Sequence, residues 1–128
     1  MRILLDTHAF LWWIADSLRM SSRARELIVD RRNDLFLSAA SAWEIAIKAD
    51  LGRIVLPAPI DRFLVEQLRM NRIESLPIQF VHALHVHALP PVHRDPFDRM
   101  LVAQAQVEKL SILTADEQIE AYEVDVLW

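Results

Sequence analysis

A chain of 128 residues with a net charge of −4 and no cysteine suits one domain with its own core, without disulfides or a thiolate metal site. Its single glycine, Gly52, excludes the glycine-rich loops that cradle nucleotide phosphates. Mild acidity does not argue against a polyanionic partner: Lys48 and Lys109 are the only lysines, and the remaining cations are arginines, the better bidentate partners for phosphate.

In chain order, Arg2-Ile3-Leu4-Leu5-Asp6 reads as a short buried strand ending in an acid. Thr7 is expected to cap a helix over residues 9–16, and Ser21-Ser22 a second one with Ala24, Leu27 and Ile28 on one face. Leu35 to Ser38 reads as the second strand, and Ala39 to Leu51 as a helix stopped by Gly52. A rigid loop at Leu56-Pro57-Ala58-Pro59 precedes a helix over Ile60 to Asn71, then a short strand from Ile73 to Leu76. Phe80 to Leu89 is expected to be one short helix ended by Pro90-Pro91. Asp95-Pro96 opens a helix running to about Glu108, Leu110 to Thr114 is a strand, and Val124-Asp125-Val126 is the expected last strand. Strands alternating with helices predict an α/β fold with a parallel sheet covered on both faces, one domain over residues 1–128.

The apolar run from Ile3 to Ala15 invites a leader-peptide reading. Asp6 and His8 inside it argue against one, as does Asp16 where small residues would mark a cleavage site. No run reaches the length of a membrane span, and the expectation is a soluble cytoplasmic protein.

Open α/β sheets bind ligands at the carboxyl ends of their strands. Asp6 ends the first strand and Asp116 lies just past the strand 110–114, so both are expected at one sheet edge. Glu44 follows the second strand among apolar neighbours. It can pair with Lys48 at i,i+4, or face the same edge, and its position favours the second reading. Asp95 and Asp98 both suit a helix start. Asp98 also shares a face with Leu101, Val102 and Ala105, which the helix should bury. Asp98 is therefore the candidate ligand, with Asp95 the cap and a secondary metal candidate. Converging carboxylates repel unless a cation joins them, and hard oxygen donors favour Mg2+ or Mn2+. Such a site suits phosphodiester hydrolysis by metal-activated water.

Other candidates follow from these. His93 could orient substrate phosphate or an acid. Thr114 could hold a carboxylate or a turn. His82, His85 and His87 cluster, but without the spacing of a zinc motif. Trp43 is expected in the core, and Trp12 or Trp13 at a partner interface.

Leu5-Asp6-Thr7-His8, Ser41-Ala42-Trp43-Glu44-Ile45, Asp95-Pro96-Phe97-Asp98-Arg99 and Leu113-Thr114-Ala115-Asp116 together resemble a PIN domain, and more closely the VapC-type toxins of bacterial toxin–antitoxin pairs. The resemblance covers nearly the whole chain. It implies a Rossmann-like three-layer α/β/α sandwich with a mostly parallel sheet and Mg2+- or Mn2+-dependent endoribonuclease activity. It also implies inhibition by a VapB-type antitoxin and a homodimer. Carried over residue by residue, it puts the acids on Asp6, Glu44, Asp98 and Asp116. Asp95, Thr114 and Thr7 are secondary candidates, and His93, Arg94 and Arg99 candidate substrate contacts. Two other functions compete: a catalytically silent RNA-binding or regulatory module, and a metal-dependent DNase or phosphatase.

Overall fold

The computed structural model describes residues 1–128. Five strands, β1 (Arg2–Leu5), β2 (Asp34–Ser38), β3 (Ile73–Leu76), β4 (Ser111–Leu113) and β5 (Val126–Leu127), form one sheet in the order β3-β2-β1-β4-β5. Every neighbouring pair is parallel, so the sheet is wholly parallel rather than mostly so. Six α-helices accompany it: α1 (Thr7–Ile14), α2 (Ser22–Val29), α3 (Ala39–Asp50), α4 (Ile60–Met70), α5 (Phe80–His85) and α6 (Pro96–Glu108).

Alternation along the strands divides the core between the two sheet faces. Ile3, Leu5, Leu35, Leu37 and Leu113 pack with Phe10 of α1, Ala24 and Ile28 of α2, and Leu64 and Leu68 of α4. On the other face, Leu4 and Ile112 pack with Leu101, Val102 and Ala105 of α6 and with Ile119 and Tyr122. Each fully buried Leu or Ile contributes roughly 1.5–3 kcal/mol. A three-layer α/β/α sandwich results.

Local chemistry sets the helix ends. The Ser21 hydroxyl accepts from the Ala24 amide, and the Ser38 hydroxyl from the Ala40 amide, both at 3.0 Å. Pro96 occupies the first turn of α6, and Lys109 ends it in the left-handed region at φ 57°.

Three expectations need correction. Asp6, not Thr7, holds the N-cap position of α1, because the extended backbone of β1 runs on through Asp6. The helix expected over residues 80–89 tightens into a 3-10 turn at Val86–Ala88, where Arg99 grips nearby carbonyls. The last strand lies later, at Val126–Leu127, because a 3-10 turn at Glu117–Ala121 and a bond from the Val124 amide to the Tyr122 carbonyl keep Val124 in a turn.

Candidate active site

The parallel register of β1 on β4 determines where the first acids emerge. Leu5 stands opposite Leu113, so Asp6 and Thr114 are the next residues out at one edge. The Asp6 amide donates to the Leu113 carbonyl at 3.0 Å, and the Thr114 hydroxyl donates to Asp6 Oδ2 at 2.9 Å. The same hydroxyl accepts from the Asp116 amide at 3.0 Å. Thr114 thus holds one acid and the turn that carries another. Asp6 makes no capping bond with its side chain, which leaves its carboxylate facing the edge. Burial raises its pKa and nearby Glu44 adds to this, while the Thr114 hydroxyl, His8 and the Thr7 amide oppose the rise.

Glu44 satisfies both of its sequence readings. It pairs with Lys48 Nζ at 2.7 Å. It is also buried, and its charge reaches both Asp6 and Asp98. Asp95 accepts from the amides of Phe97 and Asp98 at 2.8 and 3.2 Å, so the cap of α6 is filled. Asp98 has no capping task. Its pKa is pushed up to about 7 by burial first, then by the charges of Asp6 and Asp95, with Glu44 adding and His93 opposing.

Asp116 begins the 3-10 turn, and its Oδ1 accepts from the Gln118 amide at 2.9 Å. Its Oδ2 lies 2.8 Å from His93 Nε2, which is also 3.7 Å from Asp98 Oδ2. The His93 amide donates to the Tyr122 hydroxyl at 2.8 Å, which places the residue. Partial burial lowers the His93 pKa, but the bond to Asp116 and the charges of Asp98, Asp116 and Asp95 outweigh it, and the net shift is upward.

Four expected site residues, Asp6, Glu44, Asp98 and Asp116, therefore share one edge, with Thr114 and His93 among them. Thr7 stands one step back: its buried hydroxyl donates to Ser41 Oγ at 2.8 Å. Arg94 is exposed at the mouth of α6. Arg99, a candidate substrate contact, turns its guanidinium to the protein's own backbone. Its guanidinium donates to the carbonyls of Val86 and Pro90 at 3.2 and 2.9 Å and more weakly to that of Leu89 and the Tyr122 hydroxyl. The core expectation for Trp43 is overturned. Trp43 is 62% exposed and stacks edge-on against Phe97, while Trp12 and Trp13 pack against the core. The buried face of α3 is formed by Ala40, Ser41, Glu44 and Ile45, which leaves Trp43 on the flank.

Sequence reasoning missed Arg23. It lines a cleft of about 290 Å3 beside the site, together with Thr114, Asp116, Glu117, Glu120 and Trp128. Nothing local marks it, since α2 meets the cleft only through the fold.

The model of the PIN domain family matches residues 3–125. This chain belongs to the PIN-domain family. Within that family it resembles Ribonuclease VapC22 of Mycobacterium tuberculosis, at 30% identity over 94% of this chain and 91% of that protein. Ribonuclease VapC16 of the same organism is 36% identical over 67 residues, 52% of this chain and 48% of the relative. Among solved structures, VapBC2 from Rickettsia felis bound to a DNA fragment from their promoter superposes with a TM-score of 0.70 at 12% identity, covering 99% and 98% of the two chains. That likeness is one of fold.

A PIN domain implies a divalent metal, and the donor set here fits one. His93, Asp98 and Asp116 each offer a ligand atom, and these atoms lie within 4.8 Å of one another. The rise of Asp98 to about 7, from burial first and the neighbouring acids second, marks a carboxylate whose charged form the protein alone does not stabilise. Such a carboxylate gains most from a cation. No helix is long and apolar enough to cross a membrane.

Proposed function

We propose that this chain, acting as one domain over residues 1–128, is a divalent-metal-dependent endoribonuclease and the toxin of a type II toxin–antitoxin pair. The observation that carries the reading is the convergence of Asp6, Glu44, Asp98 and Asp116 from four separate segments, with Asp98 raised to about 7 by burial and like charge. Similarity to two proteins named ribonucleases supports RNA as the substrate.

Asp6, Asp98 and Asp116 would hold Mg2+ or Mn2+, with Glu44 beside them. Once bound, the metal supplies an activated water and neutralises charge building on the scissile phosphate. Thr114 fixes the Asp6 carboxylate by donating to Oδ2, so that an oxygen need not reorient on binding. Lys48 limits the net negative charge that Glu44 presents to an incoming polyanion. Arg94, exposed at the start of α6, and Arg23, across the cleft, are suited to flanking phosphates. Asp95 keeps its capping role.

The partner reading rests on exposed apolar faces. Trp43 and Ile47 of α3 and Leu51 at its C-cap recur at four-residue spacing and are 62%, 36% and 62% exposed, a stripe suited to an antitoxin segment of the VapB type. Phe80, Val81 and Leu84 expose a second face on α5, which suits a homodimer. The enzyme would act in the cytoplasm, where RNA is available.

The test is a substrate panel of RNA, duplex DNA and a phosphomonoester, with Mg2+, Mn2+ or EDTA. RNA cleavage that EDTA stops, and that Asp6→Asn and Asp98→Asn each abolish, is the expected result. DNA or phosphomonoester turnover by the same residues would move the protein to the competing hydrolase reading. RNA binding without any cleavage would make it a silent module.

A further inference from the structure

We propose that His93 is a nitrogen ligand of the bound metal, so that the site is a mixed imidazole–carboxylate centre rather than a purely carboxylate one. The inference rests on the metal-site reading above and extends it to a residue outside the acid set. Adjacent donors around an octahedral ion are about 3 Å apart and opposite ones about 4.2 Å, given metal–oxygen distances near 2.1 Å. His93 Nε2 is 2.8 Å from Asp116 Oδ2 and 3.7 Å from Asp98 Oδ2, and the three donor atoms span no more than 4.8 Å. A small closing movement brings that set within the range of a single ion.

The imidazole is anchored for this task. Its backbone amide is held by the Tyr122 hydroxyl, on the segment following the Asp116 turn, so the ring and Asp116 are tied to one piece of the fold. Asp116 Oδ1 is spent on the Gln118 amide, which leaves Oδ2 as the atom turned toward His93. Neither Asp98 oxygen accepts a hydrogen bond from a backbone amide or neutral side chain, so that carboxylate can move toward a shared ion at little cost. An imidazole donor tilts preference away from Mg2+, which takes oxygen almost exclusively, and toward Mn2+.

Mn2+ bound to the wild-type protein is the probe. Pulsed electron paramagnetic resonance should detect nitrogen-14 modulation from a directly bonded imidazole, and labelling with nitrogen-15 histidine should replace it with the nitrogen-15 pattern. His93→Gln should remove the nitrogen signal and weaken Mn2+ binding about tenfold or more. Mg2+ affinity, read by competition, should fall less. His8 is the other histidine whose charge reaches the acids, and His8→Gln should leave the signal intact. Mn2+ binding without histidine nitrogen, or a signal that survives His93→Gln, overturns the proposal while leaving the carboxylate site standing. If His93→Gln fails to fold, the labelled wild type and His8→Gln decide the matter. Failure of wild-type protein to bind Mn2+ at all overturns this proposal and the metal-site reading together.

Discussion

At the scale of single residues, the site depends on side chains that touch no phosphate. Thr114 is 1% exposed and joins Asp6 to the Asp116 turn through one hydroxyl. Thr114→Val keeps the shape but leaves a buried carboxylate oxygen and an amide short of a partner, a loss of about 1–3 kcal/mol. Metal affinity should fall roughly 10–100-fold, since Asp6 loses its orienting donor. Isothermal titration with Mn2+ and thermal melts check the two effects, and unchanged metal affinity would remove Thr114 from the site. The two arginines flanking the Asp95–Asp98 turn should separate in the same assays. Arg94→Ala should weaken RNA binding and lower its salt slope by about one, with little change in melting temperature. Arg99→Met should do the reverse, destabilising by about 1.5–3 kcal/mol as a charged donor to the Val86 and Pro90 carbonyls is lost. Equal losses of RNA affinity in both variants would restore Arg99 as a substrate contact. The sequence made Asp6 and Asp116 legible because a strand end is a local signal. It could not distinguish Arg94 from Arg99, because the acceptors of Arg99 are backbone carbonyls that no residue identity announces.

At the scale of elements, the legible features were those where one helix end settled the matter. Asp95-Pro96 marks a cap and a first turn, and once Asp95 fills the cap, Asp98 is released to the buried side. The failures came where a helix had two faces to distribute. Alanine and serine at positions 40 and 41 allow α3 to pack closely, and that closeness rotates Trp43, Ile47 and Leu51 outward. A large aromatic predicts the core on average, but here small residues take the inner face. The break of α5 into a 3-10 turn comes where Arg99, remote in sequence, donates to the Val86 carbonyl, a contact invisible to local pattern. The α3 stripe carries its own prediction. Ile47→Glu should abolish co-purification with a co-expressed VapB-type antitoxin while shifting the melting temperature of the free protein by no more than a few degrees. Retained co-purification would assign the stripe to some other contact.

At the scale of the molecule, the parallel register that gathers the acids also stores a cost in the metal-free protein. Asp98 titrates near 3.8 when unfolded and at about 7 when folded. Between those values the folded chain holds a proton that the unfolded chain has released, so stability falls as pH rises from about 4 to 7. Asp6 is raised too and shifts stability in the same direction. His93, also raised, contributes stability that is lost as pH climbs through its folded value, which again lowers stability with rising pH. The lowered carboxyls of exposed Asp30, at about 2, and of Glu66 act in the opposite direction, but only at the acid end of this window. The metal-free melting temperature should therefore decline from pH 4 to pH 8. Saturating Mg2+ should raise it, and raise it more at pH 8 than at pH 5, because the ion binds the ionised cluster in competition with the proton. Asp98→Asn removes one of the repelling charges. It should flatten the metal-free decline, melt higher than the wild type at pH 8 without metal, and lose most of the Mg2+ response. A metal-free melting temperature that is level across the window in the wild type, or a Mg2+ gain that shrinks as pH rises, would mean that Asp98 is not the residue on which the cost of this site falls.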